Sequence, residues 1–152
     1  MPMKQFLVAV FCGLLLVSSF GNANARSRRA LLPPIVVANI DISDQTMSVH
    51  VNGWSEAYWP VSTARSGYHT PRGHFRVQRL ARIYFSKKYD NSPMPNAVFF
   101  NGGIAIHGTE HVRQLGRPAS HGCVRLNPAD SAEFYELIEN YGASRTVINV
   151  RD

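Results

Sequence analysis

The chain has 152 residues, with 16 Lys and Arg against 10 Asp and Glu for a formal charge of +6. Its 45% hydrophobic and 17% charged residues exclude a disordered or coiled-coil chain and give one domain enough apolar material for a core. Frequent Gly and Pro, with 11% aromatic residues, favour a turn-rich β protein over a helix bundle. In chain order, Lys4, the apolar run from Phe6 to Val17 and Ala23-Asn24-Ala25 read as a secretory signal peptide over 1–25. That run is far short of the roughly 20 residues that a bilayer span needs, so a permanent membrane anchor is not expected after cleavage. Residues 26–35 form a basic linker, with Arg26, Arg28 and Arg29 ahead of Pro33-Pro34, and 36–152 form one domain. Export to the periplasm or cell envelope follows.

Ile35 to Ile42 is rich in β-branched residues. Met47, Val49 and Val51 alternate with polar residues up to Asn52-Gly53, a type I′ hairpin signal, and Trp54 to Val61 is the returning strand. Thr70-Pro71-Arg72-Gly73 reads as a tight turn before a half-buried strand carrying Phe75 and Val77. Residues 81–96 show no period and read as a long loop, suited either to a lid or to a surface connection. Ala97 to Phe100 and Ile104 to Ile106 are apolar strands flanking Asn101-Gly102-Gly103. One helix is expected over about 128–141: Asn127 caps it, Pro128 starts it, and Phe134, Leu137, Ile138 and Tyr141 share a face before Gly142. Thr146 to Val150 is a last strand. The fold expected is mainly β, an antiparallel sandwich or barrel-like core with one helix in the C-terminal half.

The chemistry concentrates in Ile104-Ala105-Ile106-His107-Gly108 and Ser120-His121-Gly122-Cys123-Val124-Arg125-Leu126. Cys12 falls within the signal peptide, so Cys123 is left without a partner thiol in an oxidising compartment. A thiol becomes a nucleophile when an imidazole takes its proton, and two candidate imidazoles, His107 and His121, stand near it. Glycines beside them let a substrate carbonyl approach backbone N–H groups. A rival zinc site of His107, His111, His121 and Cys123 is disfavoured, because Gly108 and the end of a β run interrupt the helical spacing of the first two. A buried structural cysteine is the bland alternative.

These two motifs resemble the signature of the YkuD-type L,D-transpeptidases, cysteine enzymes that remodel bacterial peptidoglycan. The resemblance runs from about Val36 to Val150 and includes Thr70-Pro71-Arg72-Gly73-His74-Phe75 and Met94-Pro95-Asn96-Ala97-Val98-Phe99-Phe100. Asn96 departs from it, standing where many members carry an aromatic residue such as Tyr. The resemblance implies a YkuD-like β-sandwich in which Cys123 attacks a stem-peptide carbonyl and His107 is the general base, its ring oriented by the Gly108 carbonyl. It also implies that Ser120 and His121 line the site and that Gly122 and Cys123 supply oxyanion N–H donors; Arg125 is suited either to a substrate carboxylate, through its forked donors, or to a structural ion pair. The expected partners are peptidoglycan stem peptides, with a second stem or an amine of an envelope protein as acyl acceptor. Water in that place would make the protein an L,D-carboxypeptidase or hydrolase, and loss of activity would make it a wall-binding module. No metal or organic cofactor is called for, and nucleic acid has no motif here.

Overall fold

The structure, a computed structural model, describes residues 33–152. The expected signal peptide and residues 26–32 of the expected linker lie outside the described residues. The strands are β1 (Val36–Asp41), β2 (Thr46–Val51), β3 (Trp54–Pro60), β4 (Gly73–Arg76), β5 (Arg79–Ala81), β6 (Phe85–Ser86), β7 (Ser92–Pro93), β8 (Ala97–Asn101), β9 (Ile104–Gly108), β10 (Val124–Leu126) and β11 (Thr146–Arg151), with one α-helix, α1 (Pro128–Tyr141).

Alternation sets the first sheet. Val36, Ala38 and Ile40 of β1 and Met47, Val49 and Val51 of β2 all point inward and are buried, as period-2 side chains on a half-buried sheet must. Asn52 and Gly53 take φ of +52° and +84°, the two left-handed residues that a type I′ turn requires. This sheet runs β3-β2-β1-β11-β4, and the second runs β10-β9-β8-β5. Both contain a parallel pair, β1 with β11 and β9 with β10, so the sandwich is mixed where a purely antiparallel one was expected. The connection over 109–123 supplies the long crossover that the second pair needs. Their facing sides enclose the main core, with Ile40, Met47, Phe100, Ile106, Leu126 and Ile148 among its buried residues.

β8 is apolar at successive positions because it is covered on both sides. Val98 and Phe100 enter the main core, while Ala97 and Phe99 join Met94 and Ala105 in a second cluster on the other face.

The helix spans the expected residues, capped by Asn127 Oδ1 accepting from the Ala129 N–H at 3.0 Å. Its buried face is Ser131, Phe134, Tyr135 and Ile138. Tyr141, expected inside, is 39% exposed, whereas Tyr135 is 4% exposed. Rotation toward Tyr135 places its ring under the Arg82 guanidinium, 4.8 Å from the centroid. α1 lies against β9 where Gly108 has no side chain: a Cβ there would stand 2.6 Å from Ser131 Oγ.

Residues 81–96 are a hairpin flap rather than an irregular loop. β6 pairs with β7, and the Met94 N–H to Tyr84 O (2.8 Å) and Asn96 N–H to Arg82 O (2.9 Å) bonds extend the ladder to the sheet. Two-residue strands show no alternation, and Pro93 masks one of them. Asp90 and Asn91 turn the tip with φ of +48° and +51°, a conformation that Asn and Asp tolerate best among residues with a Cβ.

Candidate active site

β9 and β10 run side by side in register, Ile106 opposite Val124 and His107 opposite Arg125. Ile106, Val124 and Leu126 fill the main core, so alternation turns Ala105, His107 and Arg125, with Cys123 just before β10, to the opposite face. His107, Cys123 and Arg125 there open into a cavity of about 550 Å³, which the flap borders through Tyr84, Lys88, Tyr89 and Met94. Spacing of two along each strand, together with parallel pairing, therefore brings thiol and imidazole from 16 positions apart to one wall.

His107 is 6% exposed, and its Nδ1 lies 2.7 Å from Gly108 O. A carbonyl can only accept, so the neutral ring carries its proton on Nδ1 and keeps Nε2 bare. Burial pushes its pKa down to about 4; the Gly108 bond opposes this and the Arg125 charge adds to it. Burial also raises the Cys123 thiol, against the weaker pull of the Ala105 backbone and of Arg125. The resting pair at neutral pH is thus an uncharged thiol and an uncharged imidazole, not a preformed thiolate.

The turn that presents Cys123 is tied by Ser120, which is 1% exposed. Its Oγ donates to Cys123 O at 2.6 Å and accepts from the Gly122 N–H at 3.0 Å. The Gly122 N–H, expected to join Cys123 as an oxyanion donor, is thus engaged by Ser120 Oγ. Among the described residues no such bond engages the Cys123 N–H. Gly122 has φ +133°, and a Cβ on it would sit 2.9 Å from Ile104 Cδ1 and 3.0 Å from His69 O. Only glycine fits there. Thr70 Oγ1 donates to Gly122 O at 2.9 Å and accepts from the Ala64 N–H, tying the preceding loop to the same turn.

His121 faces the same cavity but is held differently. The Arg65 Nη2 donor lies 2.7 Å from its Nε2. Tyr89 stacks on the ring with centroids 4.4 Å apart, and Tyr68 meets it edge-on at 4.6 Å. Desolvation lowers its pKa, and the charges of Arg65, Arg125 and Lys88 act in the same direction. Arg125 is half-buried, with its Nη1 3.3 Å from Gln114 Oε1, and among the described residues no carboxylate pairs with it.

The histidines and Cys123 border one cavity, yet among the described residues no three His, Cys, Asp or Glu side chains converge as a metal site would require. Asn96 lies outside the cavity lining. It adopts φ +53° and its Nδ2 donates to Ser131 Oγ at 3.3 Å, so its place is in anchoring the flap to α1. Arg65, Tyr68 and Tyr89 were not singled out from the sequence: each sits in a segment without periodicity, and only the fold brings them to His121.

Residues 35–148 match the family described as the L,D-transpeptidase catalytic domain. The YkuD protein of Bacillus subtilis (strain 168) is 23% identical over 114 residues, covering 72% of this chain and 63% of that protein. An L,D-transpeptidase from Mycobacterium tuberculosis H37Rv has a similar structure, with TM-score 0.71 and 25% identity over 78% of this chain and 58% of that one. Another, from Stackebrandtia nassauensis, gives TM-score 0.68 and 27% identity over 84% and 62%. The chain thus spans less than two thirds of the length of these relatives.

Proposed function

The chain belongs to the family of L,D-transpeptidase catalytic domains, and from that premise we propose that it acts on peptidoglycan stem peptides through an acyl-enzyme on Cys123. One observation carries the reading: a thiol and an imidazole with a bare Nε2 share a face of two adjacent parallel strands and border one cavity. His107 Nε2 takes the thiol proton as sulfur attacks the carbonyl after the third stem residue. The tetrahedral oxyanion is met by the Cys123 N–H, a donor worth about 3 kcal/mol in such sites. Collapse breaks the C–N bond, and His107 returns the proton to the departing D-alanine amine. An acceptor amine then attacks the thioester and loses a proton to His107, which passes it to the leaving sulfur. The product is a 3→3 cross-link, or a wall-anchored envelope protein when the amine belongs to one.

Because both partners start uncharged, ion-pair formation accompanies attack rather than preceding it. A cavity that desolvates the pair favours this order, since the charge then develops where the Cys123 N–H and Arg125 can meet it. Arg125, half-buried with no carboxylate partner among the described residues, suits a stem-peptide carboxylate through its forked donors. The signal-peptide pattern read over 1–25 supports a site outside the cytoplasmic membrane, and the net positive charge suits an acidic wall.

The test is incubation of the purified protein with tetrapeptide fragments and mass analysis of the products. Dimers with loss of D-alanine are expected. Tripeptide alone would mean that water is the acceptor, and no conversion would overturn the assignment.

A further inference from the structure

The two histidines at the cavity are wired in opposite senses. His107 has Nδ1 tied to a carbonyl and Nε2 bare, as a base requires. His121 has Nε2 facing a guanidinium, and arginine has no acceptor and does not lose its proton in proteins. The bond between them exists only if Nε2 accepts, which obliges the neutral ring to carry its proton on Nδ1. A ring in that state has no lone pair left for a thiol proton: one nitrogen is capped and the other is already protonated.

We propose that Arg65 is a positioning residue that decides which histidine serves as the base, by fixing His121 as the neutral Nδ1–H form clamped between Tyr68 and Tyr89. The proposal rests on the Cys123–His107 reading of the site and adds a residue that the signature motifs do not contain. Arg65 lies 58 positions before the nucleophile, in the loop between β3 and β4. Its backbone N–H donates to Ser120 O at 3.0 Å, so loop and catalytic turn are joined by two contacts, one of main chain and one of side chain. Its guanidinium also packs over Tyr68 at 4.9 Å, which fixes its own direction. The arrangement reaches the flap through Tyr89, whose ring is nearly parallel to that of His121, at 11°.

Among the described residues the charges that act on His121 are cationic: Arg65 from its loop, Arg125 from β10 and Lys88 from the flap, with Tyr68 and Tyr89 against its ring and Cys123, His107, His111 and Glu110 as the other titratable groups on the cavity wall. Protonation of His121 would set a fourth positive charge among them and break the Arg65 bond. The same cations therefore keep the ring neutral while Arg65 chooses its tautomer.

The experiment uses the protein carrying ¹⁵N-histidine, in wild-type, Arg65→Ala and Arg65→Lys forms. Ring-nitrogen spectra across neutral to acid pH report tautomer and protonation midpoint, and the pH dependence of Cys123 alkylation by iodoacetamide is read on the same samples. In the wild type we expect His121 with Nδ1 protonated and Nε2 bare. Arg65→Ala should populate the Nε2–H form, move the His121 midpoint to higher pH, and add an inflection at that midpoint to the alkylation profile. Arg65→Lys, which can still donate to Nε2, should restore the wild-type tautomer. The Arg65 side chain is exposed and its main-chain bond survives substitution, so folding is retained, which the amide spectrum checks. A wild-type His121 protonated on Nε2, or an Arg65→Ala variant with unchanged tautomer, midpoint and alkylation profile, overturns the proposal. Neither readout needs turnover, so absence of tetrapeptide conversion would remove the proposed function without touching this result.

Discussion

Burial of His107 makes acid a specific destabilising agent for this fold. The side chain is 6% exposed and its pKa is lowered to about 4, against about 6.5 for histidine in an unfolded chain. Between those values the unfolded chain binds a proton that the folded one refuses, so stability falls as pH drops through that window and levels off below it. At 1.36 kcal/mol for each pH unit, the loss attributable to His107 is about 3 kcal/mol, a large part of a small domain's stability. His107→Gln removes the titration while keeping a polar side chain in the pocket. Asp41 and Asp152, whose carboxyls are held low by hydrogen bonds from Ser43 and Arg72, titrate alike in both chains and cancel in the comparison. Urea unfolding of both proteins from pH about 7.5 down to about 4 measures the difference. The wild type should lose about 3 kcal/mol more than His107→Gln over that range. Parallel pH profiles would refute the buried neutral ring, and with it the bare Nε2 that the proposed base needs.

Cys123→Ser should abolish acyl-enzyme formation with tetrapeptide fragments while preserving the fold, since the hydroxyl is far less acidic than the thiol; intact mass and circular dichroism check the two halves. His107→Ala should lower acylation by at least about 10²-fold, whereas His121→Ala should cost less and act through the shape of the wall; acylation kinetics of both variants separate them, and the assignment fails if only His121→Ala loses reactivity. Gly122→Ala should destabilise by about 1–3 kcal/mol from backbone strain alone, with further loss from the contact at Ile104 Cδ1; thermal unfolding measures it, and an unchanged midpoint would argue against the +133° conformation.

Features governed by neighbours in sequence were readable directly. The β2–β3 hairpin and its Asn52-Gly53 turn follow from alternation and two left-handed residues, and α1 follows from Asn127, Pro128 and Gly142. The thiol, both imidazoles and the guanidinium bordering the cavity were likewise visible as a motif. What could not be read depends on contacts between distant segments. β10 is three residues long and owes its existence to β9 on one side and to the Ser62–Arg125 bridge on the other. The buried face of α1 turned on Arg82, 53 positions before Tyr135. That Ser120 Oγ folds back onto the Gly122 N–H is likewise beyond what spacing can show.

The position of β11 governs how this fold can be assembled. The last strand of the chain is not an edge but an interior strand, flanked by β1 and β4. Each of its six pairings with β1 joins residues 110 positions apart. Until those residues are available, β4 has no neighbour in its sheet and the inward row of β1 has no partner on that side. Such long-range closure is slow, of order milliseconds to seconds for β topologies. Late closure leaves the first sheet incomplete until Thr146–Arg151 are in place. It also makes the tail indispensable: trimming Thr146–Arg151 would divide the sheet through its middle instead of fraying its border.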